Sequence, residues 1–312
     1  MANSIETAAV IQTELDTKAV AESATGWMEG NAGRVKYNGG REIKIPKLST
    51  DGMADYDKSN GFVEGGVTLT YETRTMTQDR GRGFTLDPTE VDESNYVVEI
   101  SAVMGEFQRE HVIPEIDAYR ISSIATSVIE ANVLGMTEYS YVPGSANTDA
   151  LRKIKEGITA VREQGYSGPL TIQIESKMLM ELELVLAGRI QYMDIIKNGV
   201  VTKVASIDQC PLIATTSDRM VSAITTLDGT SENEKSGGFK KAKDALNINF
   251  MVIPTVAPLA VSKLDNFRIF DPSTYQKANA WHADYRRYHD LWLKDNKIKC
   301  IYVSYKDAKP TE

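Results

Sequence analysis

The chain has 312 residues, 42% of them hydrophobic and 25% charged, which is enough apolar material for one large or two modest cores. A net charge of -8 excludes a protein that grips nucleic acid over a broad face, because neutralising phosphates takes clustered Lys and Arg. Two cysteines, Cys210 and Cys300, exclude a disulfide framework or a cysteine zinc cluster, and without a bilayer-length apolar run or a signal-peptide pattern the expectation is a protein made and kept inside a cell.

Residues 5–24 carry a thin apolar stripe (Ile5, Ala8, Ile11, Leu15, Ala19, Val20) behind a plausible Ser4 N-cap, predicting a helix that packs on its own domain or reaches another subunit. Residues 34–46 alternate as a strand around the turn-forming Asn38-Gly39-Gly40. Residues 49–66 hold Asp51, Asp55, Asp57 and Glu64 against Lys58, a solvated loop. Strict alternation returns in VTLTYETRTMT, residues 67–77, and a second strand is predicted at 83–86 after the basic, turn-like Asp79-Arg80-Gly81-Arg82. Paired, these two strands would form a ribbon with little core of its own. Such a ribbon needs support from outside, and another copy of the chain is the candidate.

Acids gather at 87–94, where a helix N-terminus favours them. From Ser94 to Asn132 follows the longest helical stripe: Ile100, Met104, Phe107, His111, Ile116, Ile121, Ile124, Val128 and, just beyond, Val133. Pro114 predicts a bend or break near Val112. After a linker at 139–147 a second module begins. Thr148 is read as capping a helix to about 164, with a strand at 170–174 and a Ser176-capped helix over 177–187. Short strands are predicted at 200–207 and 211–214, a loop-rich surface tip at 227–244 and a central strand at 248–253, giving an α/β module. The tail returns to strands at 266–270 and 281–293, the latter with period two, then a hairpin signal at Asp295-Asn296 and a strand over 298–305.

Chemistry is sparse. His111 falls on the buried stripe of the long helix, while His282 and His289 lie on opposite faces of one strand, so no metal site is expected. Asp79-Arg80-Gly81-Arg82-Gly83 matches a phosphate loop only weakly, lacking its lysine and its strand-to-helix setting; a basic edge making ion-paired contacts fits better, and Arg286-Arg287 reads as a solvated strand face. No hydrolase or metalloprotease motif occurs, and the carboxylates are scattered. Neither an enzyme nor a cofactor is expected.

The order of elements, the DRGRGFTLD stretch at 79–87 with Asp92-Glu93 following, the segment 107–120 and the tail YRRYHDLW at 285–292 with DNK at 295–297 and IYV at 301–303 resemble major capsid proteins of tailed bacteriophages with the Hong Kong 97-type fold. That resemblance implies an α+β fold divided into an N-terminal arm (1–33), an extended E-loop ribbon (34–93), a peripheral domain with the long spine helix (94–147 and 254–312) and an α/β axial domain (148–253). It implies pentamers and hexamers of the chain itself in an icosahedral shell around double-stranded DNA touched weakly and nonspecifically. It further implies a separate scaffolding protein, since the chain begins directly at the arm, with a portal and decoration proteins as further partners. The location would be the virion capsid, assembled in the bacterial host cytoplasm, with no membrane contact. Arg74, Arg80, Arg82, Phe84, Glu90, Asp92, Glu93, Arg109, Glu110, Arg286 and Arg287 are the candidate intersubunit contacts. Non-covalent assembly is expected, because nothing in the spacing of Lys58 and Asn266 supports an isopeptide crosslink. An encapsulin-type compartment around a cargo enzyme and a monomeric α/β enzyme are the alternatives.

Overall fold

The long apolar stripe folds as two α-helices joined through a π-helical turn, and the rest of the chain is layered against them. A computed structural model of the chain describes residues 23–34, 36–37, 42–58, 61–86, 96–144, 149–186, 188–197 and 200–310. The helix expected over 5–24, the acidic run at 87–94 and the Thr148 cap lie almost wholly outside these residues.

A 3-10 helix, Gly26–Arg34, leads into β1 (Lys36–Tyr37), β2 (Glu42–Thr50), β3 (Val67–Thr75) and β4 (Gln78–Leu86). The spine consists of α1 (Tyr96–Phe107), the π turn Gln108–Val112 and α2 (Ile113–Ala131). Pro114 sits in the first turn of α2, where its missing N–H costs nothing, so the expected break is made by the π turn just before it. Asn132, left-handed at φ 43°, ends α2 with its N–H on Val128 and Ile129 carbonyls. Then come β5 (Thr137–Glu138), α3 (Ala150–Glu163), β6 (Leu170–Glu175), α4 (Ser176–Leu186), β7 (Gln191–Lys197), β8 (Val200–Ile207) and β9 (Cys210–Thr215). The cap of α3 is Asp149, whose side chain accepts from the Leu151 N–H. The chain continues through β10 (Ile224–Thr226), β11 (Phe239–Lys241), β12 (Ile248–Pro254), β13 (Pro258–Phe270), β14 (Trp281–Leu293), a one-turn helix Asp295–Ile298, and β15 (Tyr302–Tyr305).

A seven-stranded mixed sheet, β5-β15-β12-β6-β9-β8-β7, carries the main core. Every residue of β12 is buried, yet its side chains still divide by period two: Phe250 and Val252 join α3 and α4 (Ile154, Val161, Met178, Leu182), while Met251 and Ile253 join the spine (Ile121, Ile124, Val128). The centre of the sheet is therefore covered by helices on both faces, which is why β12 reads as a nearly unbroken apolar run. Gly157 lets α3 lie close, since a Cβ there would stand 2.8 Å from the Tyr302 ring.

A second, three-stranded sheet has the order β13-β14-β4, and a third is β1-β2-β3. Three expectations are corrected by this pairing. The stretch 79–82 is no turn but the middle of β4. That strand pairs with β14 (Arg82 opposite Tyr285), so the ribbon is β2 with β3 and the pairing expected between 67–77 and 83–86 is absent. Asp295-Asn296 starts a helical turn, not a hairpin, and β15 joins β12 instead of β14. Both β15 and β5 thus belong to the sheet expected to end at residue 253, and β4 to a sheet outside the ribbon expected over 34–93. The strand β7 was not foreseen.

Candidate functional site

The ribbon is rooted by Ile43, buried with Met76, Leu259, Val261 and Tyr288, but gains little cover beyond that root. Along β3 the same-face residues Val67, Leu69 and Tyr71 are exposed, opposite Thr50, Leu48 and Pro46 in register. The loop joining β2 to β3 adds Met53, Tyr56, Phe62 and Val63 to the exposed set. Its backbone is tied by a bridge between Asp57 and Gly61 and by Gly66 donating to the Asp51 carboxylate at 2.7 Å. Among the described residues nothing matches this apolar strip, and exposed apolar strips are a common feature of contact surfaces.

β4 alternates charge with glycine, and the alternation sorts its contacts by face. Arg80 donates through Nε and Nη2 to the Glu115 carboxylate of α2 (2.7 and 3.1 Å) and to the carbonyls of Leu227 and Gly238 (2.8 and 3.2 Å). Arg82 donates to the carbonyls of Ser236 and Lys235 (3.3 and 3.1 Å). On the other face Arg286 of β14 makes a two-pronged bond to Asp79 (2.8 and 2.6 Å), a fork geometry that suits Arg. Gly81 is required there, because a Cβ would come 2.6 Å from the Tyr285 carbonyl oxygen. The segment 227–244, expected as a loop-rich surface tip, lies at the surface and is tied to β4 by Arg80 and Arg82, and β10 and β11 close it as a small hairpin. At the ribbon's foot, Thr77 donates to Asp290 from its N–H and its hydroxyl (2.8 and 3.0 Å), and Tyr119 of the spine donates to the same carboxylate at 2.6 Å. Burial, helped by that bond to Asp290, pushes the Tyr119 phenol up to about 12.

Behind these surfaces lies a cluster of buried charge where the chain enters from its first residues. Asp117, wholly buried in α2, accepts from the N–H groups of Ala24 and Thr25 (3.0 Å each), the hydroxyls of Ser23 and Thr25 (2.7 and 2.5 Å) and Arg219 (3.3 Å). One turn on, Arg120 donates to Glu29 at 2.5 Å, and Arg287 reaches Glu29 (2.8 Å) and Asp265 (2.9 Å). Burial alone would raise the Glu29 carboxyl, but Arg120 and Arg287 outweigh it and hold the pKa below its ordinary value. Burial likewise opposes the Arg287 charge, and Asp265 beside it reverses the balance, raising its pKa. His289, in the same neighbourhood, is held well below its ordinary 6.5 by burial and by Arg287, Arg120 and Arg80.

The eleven candidate contacts therefore separate. Glu90, Asp92 and Glu93 lie outside the described residues. Arg287 is buried, which corrects its reading as a solvated face; Arg80 and Phe84 are half-buried within the chain, the latter edge-on to Phe107 at 5.0 Å. Arg74, half-buried, pairs with Glu72 (2.7 Å); Arg82, Arg109, Glu110 and Arg286 are exposed, Arg109 pairing with Glu106 (3.0 Å) and Glu110 standing 4.0 Å from His111. His111 itself, expected on the buried stripe, has a side chain 62% exposed. Two groups were missed by sequence reasoning: the Tyr56 and Phe62 aromatics in a loop otherwise polar, and the charges Asp117 and Arg120 on the apolar phase set by Ile116, Ile121 and Ile124. Large aromatics inside a glycine- and acid-rich loop were the available signal for the first. Among the described residues no group of His, Cys, Asp and Glu is placed to hold a metal ion, and no helix is long and apolar enough to cross a membrane.

No family model and no curated protein matches the chain. Solved structures do. It is similar to the asymmetric unit of the bacteriophage PhiM1 mature capsid, with TM-score 0.53 and 11% identity over 86% of this chain and 82% of that one. The capsid structure of the cyanophage P-SCSP1u gives TM-score 0.50 and 9% identity over 86% and 84%, and a structure from Mycobacterium phage Bobi gives 0.52 and 12% over 90% and 91%. The shared property is the fold, which is α+β and of the Hong Kong 97 type.

Proposed function

Starting from that fold, we propose that the chain is the major capsid protein of a tailed phage, assembling as pentamers and hexamers into an icosahedral shell around double-stranded DNA. The observation that carries the reading is the ribbon: β2, β3 and their loop expose Met53, Tyr56, Phe62, Val63, Val67 and Leu69, and none of the described residues covers them. A monomer gains no stability from such a strip, whereas a ring or shell buries it once per subunit and sums many weak contacts through multivalency. In this reading the ribbon is the E-loop laid on a neighbour. The spine with the β13-β14-β4 sheet is the peripheral domain, and the seven-stranded sheet with α3 and α4 is the axial domain, whose β7–β8 hairpin faces its copies. The acidic balance suits a wall that touches DNA loosely. Scaffolding, portal and decoration proteins are the further partners, and assembly takes place non-covalently in the host cytoplasm.

Expression of the chain, alone and with candidate scaffolding partners, followed by gel filtration and electron microscopy, tests this. Rings, tubes or particles are expected. A species that stays near 34.5 kDa in every condition sinks it, and particles that enclose a protein cargo and never a genome favour the encapsulin-type compartment.

A further inference from the structure

A cleft of about 220 Å³ opens where the π turn, β4 and the strapped loop 227–238 meet. Its lining sets the aromatic rings of Phe84, Phe107 and Tyr285 beside the guanidinium groups of Arg80 and Arg82 and the His111 imidazole. Two acids also line it, and both are engaged: Glu115 by Arg80, and Asp228 by the N–H groups of Thr230 and Ser231. Arg82 differs. It is exposed, its hydrogen bonds run to backbone carbonyls, and among the described residues no carboxylate pairs with it. The volume is below the roughly 300–1,000 Å³ of a small-molecule site and is of the scale of one or two large side chains.

The same chain presents a matching shape elsewhere. In the loop between β2 and β3 the Tyr56 and Phe62 rings lie 4.9 Å apart, and the two residues are 60% and 87% exposed. Asp51, Asp55, Asp57 and Glu64 lie exposed in the same loop with Lys58 as the opposing base, so the loop pairs an aromatic knob with a net acidic charge. The bridge between Asp57 and Gly61 already closes the loop around the knob, which lowers the ordering cost of docking. Because knob and cleft are both open in one subunit, the loop does not fill its own cleft.

We propose that this cleft receives the Tyr56 and Phe62 loop of a second copy of the chain, with Arg82 facing the acids of the incoming loop. Aromatic packing supplies the burial and the charge complement fixes the register. The assignment rests on the shell reading above and adds to it the receiving site.

The test installs p-benzoylphenylalanine at position 62, assembles particles, irradiates them and maps the crosslinked peptides. A dimer band joining the loop to residues 80–84, 107–112 or 227–238 is expected. A band that maps elsewhere, a crosslink within one chain or to residues 1–22, or particles that yield no dimer band each overturn the assignment while the shell reading stands. Failure of the unsubstituted chain to form any particle removes both. As an independent arm, Phe62→Ser leaves the melting temperature of the free subunit unchanged and lowers particle yield by about tenfold or more, since the loss is repeated at every contact; an unchanged yield also overturns it.

Discussion

Asp117 and Thr25, 92 positions apart, are joined by two hydrogen bonds to one carboxylate oxygen, from the Thr25 N–H at 3.0 Å and its hydroxyl at 2.5 Å. With Ser23, Ala24 and Arg219 on the same buried group, the spine holds the point where the leading segment enters the body. Asp117→Ala leaves these donors without an acceptor in a dry site. The expected cost is about 3 kcal/mol, since each buried donor to a charged acceptor counts for about 1.5–3 kcal/mol and the losses overlap. Urea unfolding checks it, and a midpoint within error of the parent contradicts the anchoring role.

The two β4 arginines fasten the loop 227–238. Arg80→Ala combined with Arg82→Ala removes four hydrogen bonds to carbonyls of that loop and frees Glu115. Limited proteolysis should then cut within 227–238 several-fold faster than in the parent, with the rest of the digest unchanged. Equal cleavage rates would mean that the strap is held by other contacts.

His289 makes stability depend on pH in a window separate from the carboxylates. Its folded pKa lies well below 6.5, so as pH falls through 6.5 the unfolded chain takes up a proton that the folded chain refuses. The stability contributed by the neutral ring is complete above 6.5 and is lost below it, at up to about 1.4 kcal/mol per pH unit. Glu29, whose folded pKa is also lowered, acts in the same direction but in a more acidic window: its share is present above its ordinary 4.5 and lost as pH falls further. Melting temperatures between pH 7.5 and 5.5 should decline in the parent and stay flatter in His289→Gln, whatever the absolute stability of the variant. Parallel slopes would dismiss the histidine as the cause.

Gly157→Ala gains helix propensity of about 1 kcal/mol but drives a methyl group to 2.8 Å from Tyr302 Cδ1 and 3.2 Å from Phe250 Cε2. Overpacking of a full core costs about 1–3 kcal/mol, so a net loss is expected. A variant more stable than the parent in urea would show that α3 shifts freely on its sheet.

Much of the fold was legible because burial imposes a period. Strands β12 and β14 and the helix α2 stand where alternation or the 3.6 repeat placed them. The failures have physical causes. Alternation identifies a strand without naming its partner, so β4 was paired with β3 when it belongs to β14. Arg-Gly repeats carry turn composition, yet in β4 Gly81 serves close approach to the Tyr285 carbonyl and Gly83 to the His282 ring. His111 was misplaced because the π turn inserts an extra residue into the helical repeat, rotating everything before it relative to the stripe after it. Buried ion pairs such as Glu29 with Arg120 join residues 91 apart, a separation at which single-sequence spacing carries no signal.

The position of β15 has a consequence for synthesis. This strand lies between β5 and β12, contributing Val303 and Tyr305 to the core against the spine, and it is the last of the described strands to leave the ribosome. Until residues 302–305 emerge, the large sheet has a gap between two strands already made, and the nascent subunit stays incomplete. The core against the spine is thus finished only when the last of the described strands has been synthesised.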